Sequence, residues 1–341
     1  MRLRHTLALA MLPLAQQAWA DDYAYASVRG QFESREAQPG NPLRMRDSTR
    51  LFEHAELRWQ LDAPLQNALR GTFTARHDRD GGSTIRINEL SLERPLGGGF
   101  LTAGKKVMSW DVGYAFRPLD VVQQEDRRAL NPVTLEGVPM LAWESFGEDS
   151  AMTVVLSNPG HGRADQPRDD GSLALRLYRH RGERDEYAVL RLSRRNGTEA
   201  GASFSHVLNE GVELHASLLW QQRHEEWQRQ RWQPAGRGAK ALAGFTWTTE
   251  SQFSVLGEAW VDRSAVSGQE RNLLLRAAQH WDTVDVSADV LYQPQNGGRI
   301  GTMSISWKQG PWLLSASWRH YGGAAGALTR SVAVATIERG F

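Results

Sequence analysis

Arg58, Arg70, Arg76 and Arg86 fall in stretches where every second residue is apolar, and all four take the polar parity or the turn of phase beside it. A guanidinium carries a permanent charge and five donors in a planar fork, a geometry suited to carboxylate and phosphate oxygens. Arg176, Arg191 and Arg276 hold similar positions further along and extend such a charged wall. Residues 111–137 add Arg117, Asp120, Glu125, Asp126, Arg127, Arg128 and Glu136. Charges of opposite sign facing each other across a gap make a transverse field that sorts solutes by charge and dipole. Structural ion pairing within a crowded wall would use the same residues.

Other chemistries have weaker claims. The chain has no cysteine, which excludes a thiolate metal site and a Cys nucleophile. Ser205 and His206 are neighbours and point to opposite faces of a strand; His215 and Ser217 share a face but flank no nucleophile motif. His161, His224 and His280 lie singly, without metal-ligand spacing. Neither a catalytic residue nor a cofactor or metal is expected. Residues 223–240 mix Trp227 and Trp232 with Arg223, Arg229, Arg231 and Arg237, a combination that suits nucleic acid or an anionic lipid surface. The balance of 40 Lys+Arg against 39 Asp+Glu argues against nucleic acid.

The elements that position these residues are strands. Ala55, Leu57, Trp59 and Leu61 alternate with Glu56, Arg58, Gln60 and Asp62; Leu69, Gly71, Phe73 and Ala75 alternate with Arg70, Thr72, Thr74 and Arg76. Val284 to Tyr292, Met303 to Trp307 and Leu314 to Trp318 repeat the period of two. One stretch changes phase, with Ile85 and Ile87 on one parity and Leu90 and Leu92 on the other, which predicts a β-bulge near Asn88-Glu89. Breaks between strands alternate short and long, and Asn196-Gly197-Thr198 reads as a hairpin turn despite its sequon. No blade-length repeat supports a propeller, and a sandwich rarely sustains so many strands. Thirteen tryptophans suit the aromatic belts of a membrane barrel. The pattern predicts an all-β fold, a transmembrane antiparallel β-barrel of about 18 strands (16–18), occupying residues 21–341. Its apolar parity faces lipid and its polar parity the lumen.

Residues 1–20 place Arg2 and Arg4 before an apolar stretch and Ala18-Trp19-Ala20, the form of a secretory signal peptide. Its removal turns the net charge from +1 to −1. The last strand ends in Phe341 and resembles the terminal strand by which barrel insertion machinery recognises outer-membrane proteins, although Arg339 replaces the apolar residue usual two places earlier. Within residues 111–137, Tyr114, Phe116, Leu119, Val121 and Val122 are too apolar for an external tip, so this long loop after strand five is expected to fold into the lumen.

Gly104-Lys105-Lys106, Ser109-Trp110-Asp111 and Arg117-Pro118-Leu119-Asp120 resemble a segment of poorly characterised porin-like barrels of Gram-negative bacteria. Asp111 stands where that family usually has Gly, and Arg117 where it usually has Asn. The resemblance covers residues 104–140 and implies a porin-like outer-membrane channel without naming its substrate. The arginines add the expectation of small polar or anionic solutes, residues 223–240 that of contact with outer-membrane lipid and lipopolysaccharide, and a homo-oligomer is compatible with both. The alternatives are a barrel that anchors a partner or exports a lipid or polymer, and a lipid-modifying barrel enzyme.

Overall fold

Alternation becomes strand wherever one side chain in two has an apolar surface to meet. The computed structural model describes residues 23–341 except 64–66, 126, 131–133, 159–169 and 229–230. The expected signal peptide therefore lies outside the described residues, as does Asp126. The first wall holds β1 (Tyr23–Ala37), β2 (Ser48–Ala63), β3 (Asn67–Asp78), β4 (Gly82–Leu96) and β5 (Gly99–Lys106). After a long loop come β6 (Val138–Phe146), β7 (Ser150–Ser157), β8 (Ser172–Arg181), β9 (Arg184–Ser193), β10 (Gly197–Asn209) and β11 (Val212–Gln221). β12 (His224–Gln228) and β13 (Arg231–Ala235) form a separate hairpin beyond the rim. The ring resumes with β14 (Gly238–Thr248), β15 (Phe253–Asp262), β16 (Arg271–Trp281), β17 (Val284–Gln293), β18 (Gly298–Gln309), β19 (Trp312–Gly322) and β20 (Thr329–Gly340).

Each strand of the ring pairs antiparallel with its neighbours, and β1 pairs with β20, so the 18-stranded sheet closes. Closure removes the free edges that lipid could not hydrogen-bond. Both termini and all the shortest turns lie at one end; the long loops lie at the other. The outer face is apolar, with Leu156, Leu218, Leu275, Val290 and Met303 among its exposed side chains. Near the short turns it carries an aromatic belt including Trp59, Trp247, Trp281, Trp307 and Trp312. Trp59 stacks on Phe73, with ring centroids 6.4 Å apart. The bulge lies where the change of phase puts it: Thr72 opposes Glu89 and Phe73 opposes Ile87, leaving Asn88 as the extra residue.

The inner face is not uniformly polar. Val138, Met140, Ala142, Val155, Ala174, Val189 and Leu219 point inward from β6–β9 and β11 and form one buried cluster with Met108, Trp110, Leu119 and Val122 of the long loop. These strands therefore carry apolar residues on both faces, as in Val154-Val155-Leu156 and Leu218-Leu219. The core of the molecule lies inside the ring, between loop and wall.

Candidate functional site

The loop, residues 107–137, leaves β5 and is tied first to itself. Asp120 Oδ1 accepts the Trp110 N–H at 2.6 Å and the Asp111 N–H at 3.0 Å. Arg117 Nε donates to Asp120 Oδ2 at 2.6 Å, and its Nη2 donates to Ser109 Oγ and the Asp111 carbonyl. Asp111 Oδ2 accepts the Leu119 N–H at 2.7 Å, and its other oxygen accepts from Ser217 of β11. Arg117 and Asp120 are thus buried, turned on each other rather than on water. The two residues that depart from the porin-like pattern, Asp111 and Arg117, meet in this one knot. Burial pushes the Asp111 carboxyl above its ordinary value, while the Ser217 hydroxyl and the Leu119 and Val112 N–H groups pull it back.

The loop then crosses to strands all around the ring. Glu258 of β15 accepts the Tyr114 and Ala115 N–H groups at 2.5 and 2.9 Å and lies 3.2 Å from His215 Nε2. Phe116 stacks on the inward Trp260, with centroids 5.5 Å apart. Arg128 reaches Asp289 of β17 at 2.7 Å, and its carbonyl accepts from Arg319 of β19. On the return, Thr134 bonds Glu56 of β2, and the bulged Asn88 donates to the Thr134 and Leu135 carbonyls at 2.9 and 3.2 Å. Ser217, Glu258, Asp289, Glu56 and Asn88 all point inward from widely separated strands. A segment that touches all of them runs through the interior.

The arginines of β2–β4 stand on either side of that contact. Arg76 and Arg86 lie toward the long loops; Arg58 and Arg70 lie toward the short turns. Arg58 pairs with Glu56, Arg70 lies 3.9 Å from Glu93, and Arg86 lies 3.5 Å from Glu136, which also takes Lys105 at 2.6 Å. All three side chains remain 44–62% exposed. Arg76 sits over the Phe52 ring at 4.1 Å and makes no ion pair among the described residues. With Arg29, His54, Arg86 and Thr134 it lines a cavity of ≈ 310 Å³ above the loop contact.

The other charges divide between water and structure. Glu125 pairs with Arg127 at 3.1 Å, both partly exposed. Arg191 is buried against Glu199 and Asp170, Arg176 covers the Tyr187 ring, and Arg276 lies 3.8 Å from Asp289. Among the described residues no group of three or more His, Asp or Glu side chains is arranged to hold a metal. His215 and Ser217, paired on one face in the sequence, serve the docked loop: Ser217 bonds Asp111 directly, and His215 lies against Glu258, which takes the loop's N–H groups. Glu258, Asp289 and Arg319 are not singled out by the sequence, and Asn88 only as the place of the bulge. Their inward parity was readable, but their partners lie far away in the chain.

No protein-family model and no curated protein matches this chain. Solved structures do. OpdL of Pseudomonas aeruginosa superposes with a TM-score of 0.67 at 12% identity, covering 95% of this chain and 99% of that one. The outer-membrane protein OpdK of the same organism gives 0.67 at 8% identity, covering 94% and 98%. OccAB3 of Acinetobacter baumannii gives 0.65 at 10%, covering 95% and 100%. The class is therefore set by fold: a closed 18-stranded antiparallel barrel with an apolar outer belt, the fold shared by these outer-membrane structures.

Proposed function

We propose that this barrel is a channel for small polar or anionic solutes, narrowed by residues 107–137. The carrying observation is the loop's route through the interior, held by Ser217, Glu258, Asp289, Glu56 and Asn88, with exposed arginines of β2–β4 on both sides of it. Loop and wall supply opposite charges at close range, Arg86 against Glu136 and Arg128 against Asp289, while Arg76 faces a cavity that Glu56 and Asp78 also line and makes no ion pair among the described residues. At an ionic strength near 0.15 M a charge is screened over about 8 Å, so the exposed guanidinium groups act on a solute only within the narrowed stretch. The pattern of the final strand supports insertion through its carboxyl end, where Arg339 lies over the rings of Trp312 and Phe341 at 5.3 and 4.9 Å.

Recording reversal potentials across a planar bilayer under a salt gradient tests the selectivity. The expected result is a preference for anions that moves toward cations in the double variant Arg70→Gln, Arg76→Gln. An unmoved potential in a variant that inserts and conducts would mean that these arginines serve the wall alone.

A further inference from the structure

The cavity of ≈ 310 Å³ above the loop contact is walled by side chains in direct cross-strand register. Arg29, His54 and Arg76 form one inward row across β1–β3, with Asp78 one row nearer the long loops and Glu56 one row nearer the short turns. Most of the charges here are already matched. Arg29 Nε donates to Glu338 at 2.8 Å, Arg86 lies 3.5 Å from Glu136, and Glu56 takes both Arg58 and Thr134. Two charges are not. Arg76 lies over the Phe52 ring, and Asp78 Oδ1 accepts the Asp80 N–H at 3.0 Å; neither residue makes an ion pair among the described residues. They share one face of β3, two residues or ~7 Å apart along the strand, yet they do not pair with each other. Beside Arg76, His54 Nε2 is buried with no hydrogen-bond partner.

A free guanidinium next to an unfilled imidazole nitrogen fits a carboxylate, and a free carboxylate one step along the same strand fits an ammonium. The two unmatched charges sum to zero. A simple anion would leave Asp78 unanswered and a simple cation would leave Arg76 so, which disfavours both against a solute that carries the two groups together. We propose that this cavity is a recognition subsite for a zwitterion, an α-amino acid with a short, uncharged side chain. Its carboxylate meets Arg76 and His54, and its ammonium meets Asp78. A cavity at the small end of the range for ligand sites suits a solute of that size. The inference rests on the channel reading only in naming the solute that the channel would take; binding itself does not depend on conduction.

Saturation-transfer NMR on the full barrel in detergent tests it, with L-alanine as probe. Propionate and ethylammonium, each lacking one of the two charged groups, serve as comparisons. The expected result is that alanine binds on the order of tenfold more tightly than either, the equivalent of one charge-assisted hydrogen bond. In Asp78→Asn the affinities for alanine and propionate should converge, whereas Arg76→Gln should weaken both together. A heat-dependent gel shift confirms that each variant is folded. Propionate held as tightly as alanine by the native chain, or a gap between them that survives in Asp78→Asn, would overturn the proposal. A barrel that shows the gap and passes no ions would overturn only the channel, and a conducting barrel without the gap would overturn only the subsite.

Discussion

Arginine outnumbers lysine 36 to 4 in this chain, and Arg117 shows one reason. Its fork satisfies Asp120, Ser109 and the Asp111 carbonyl at once, and Arg319 similarly spans Thr302 and the Arg128 carbonyl. An ammonium is a point donor and cannot span such sets. Arg117→Lys is expected to weaken the loop's own fold by about 1–3 kcal/mol, since a buried charge-assisted contact is lost while the charge stays. Faster protection loss at the Leu119 amide in hydrogen exchange would register it; unchanged exchange would show that the knot is held elsewhere. Asp111 supplies a pH dependence. Its folded value is raised by burial, so its linked stabilisation is complete below the ordinary carboxylate range and lost as pH climbs through the raised value. Docking of the loop should therefore tighten as pH falls from neutrality toward that range. Current noise that declines over this window in the native chain, and stays flat in Asp111→Asn, is the expected outcome. A window that persists in Asp111→Asn would assign it to another group.

Among the elements, strands and bulge were legible and the inner seam was not. The change of parity between Ile87 and Leu90 could only be reconciled with one lipid-facing side by an extra residue, so Asn88 was visible in advance. What it does was not, because its partners Thr134 and Leu135 lie across the whole loop. The apolar residues of the loop announced that it must pack. Its partner surface is hidden from a period of two, because β6–β9 and β11 carry apolar residues on the inner parity as well as the outer. Runs apolar on both parities, Val138 to Ala142 and Val154 to Leu156, are the available signal for strands buried on both sides. Gly104 marks where β5 hands over to the loop. Its φ is 131°, and a Cβ there would strike the Leu90 carbonyl oxygen. Gly104→Ala is expected to cost about 1–3 kcal/mol and to release the loop's first anchor while the ring still closes. Greater protease access near residue 107 in a heat-modifiable barrel would show this; a resistant, unaltered loop would contradict it.

At the scale of the whole molecule, β1 and β20 close the ring by backbone pairing in which the loop takes no part, so the barrel is expected to form even where the loop's packing is altered. The ring pairs strand to neighbouring strand, whereas the loop depends on contacts up to 191 residues apart in sequence. Fold and interior are therefore separable. The chain should fractionate with the outer membrane and shift on a gel when boiled, and recovery as a soluble protein without that shift would contradict the barrel's setting. Separability also makes the central claim directly testable, by comparing single-channel conductance of the intact chain and of a variant lacking residues 121–132, both inserted and heat-modifiable. The account predicts discrete ion steps in the intact chain and larger steps in the variant. Steps of equal size in both, or a sealed barrel in both, would contradict it.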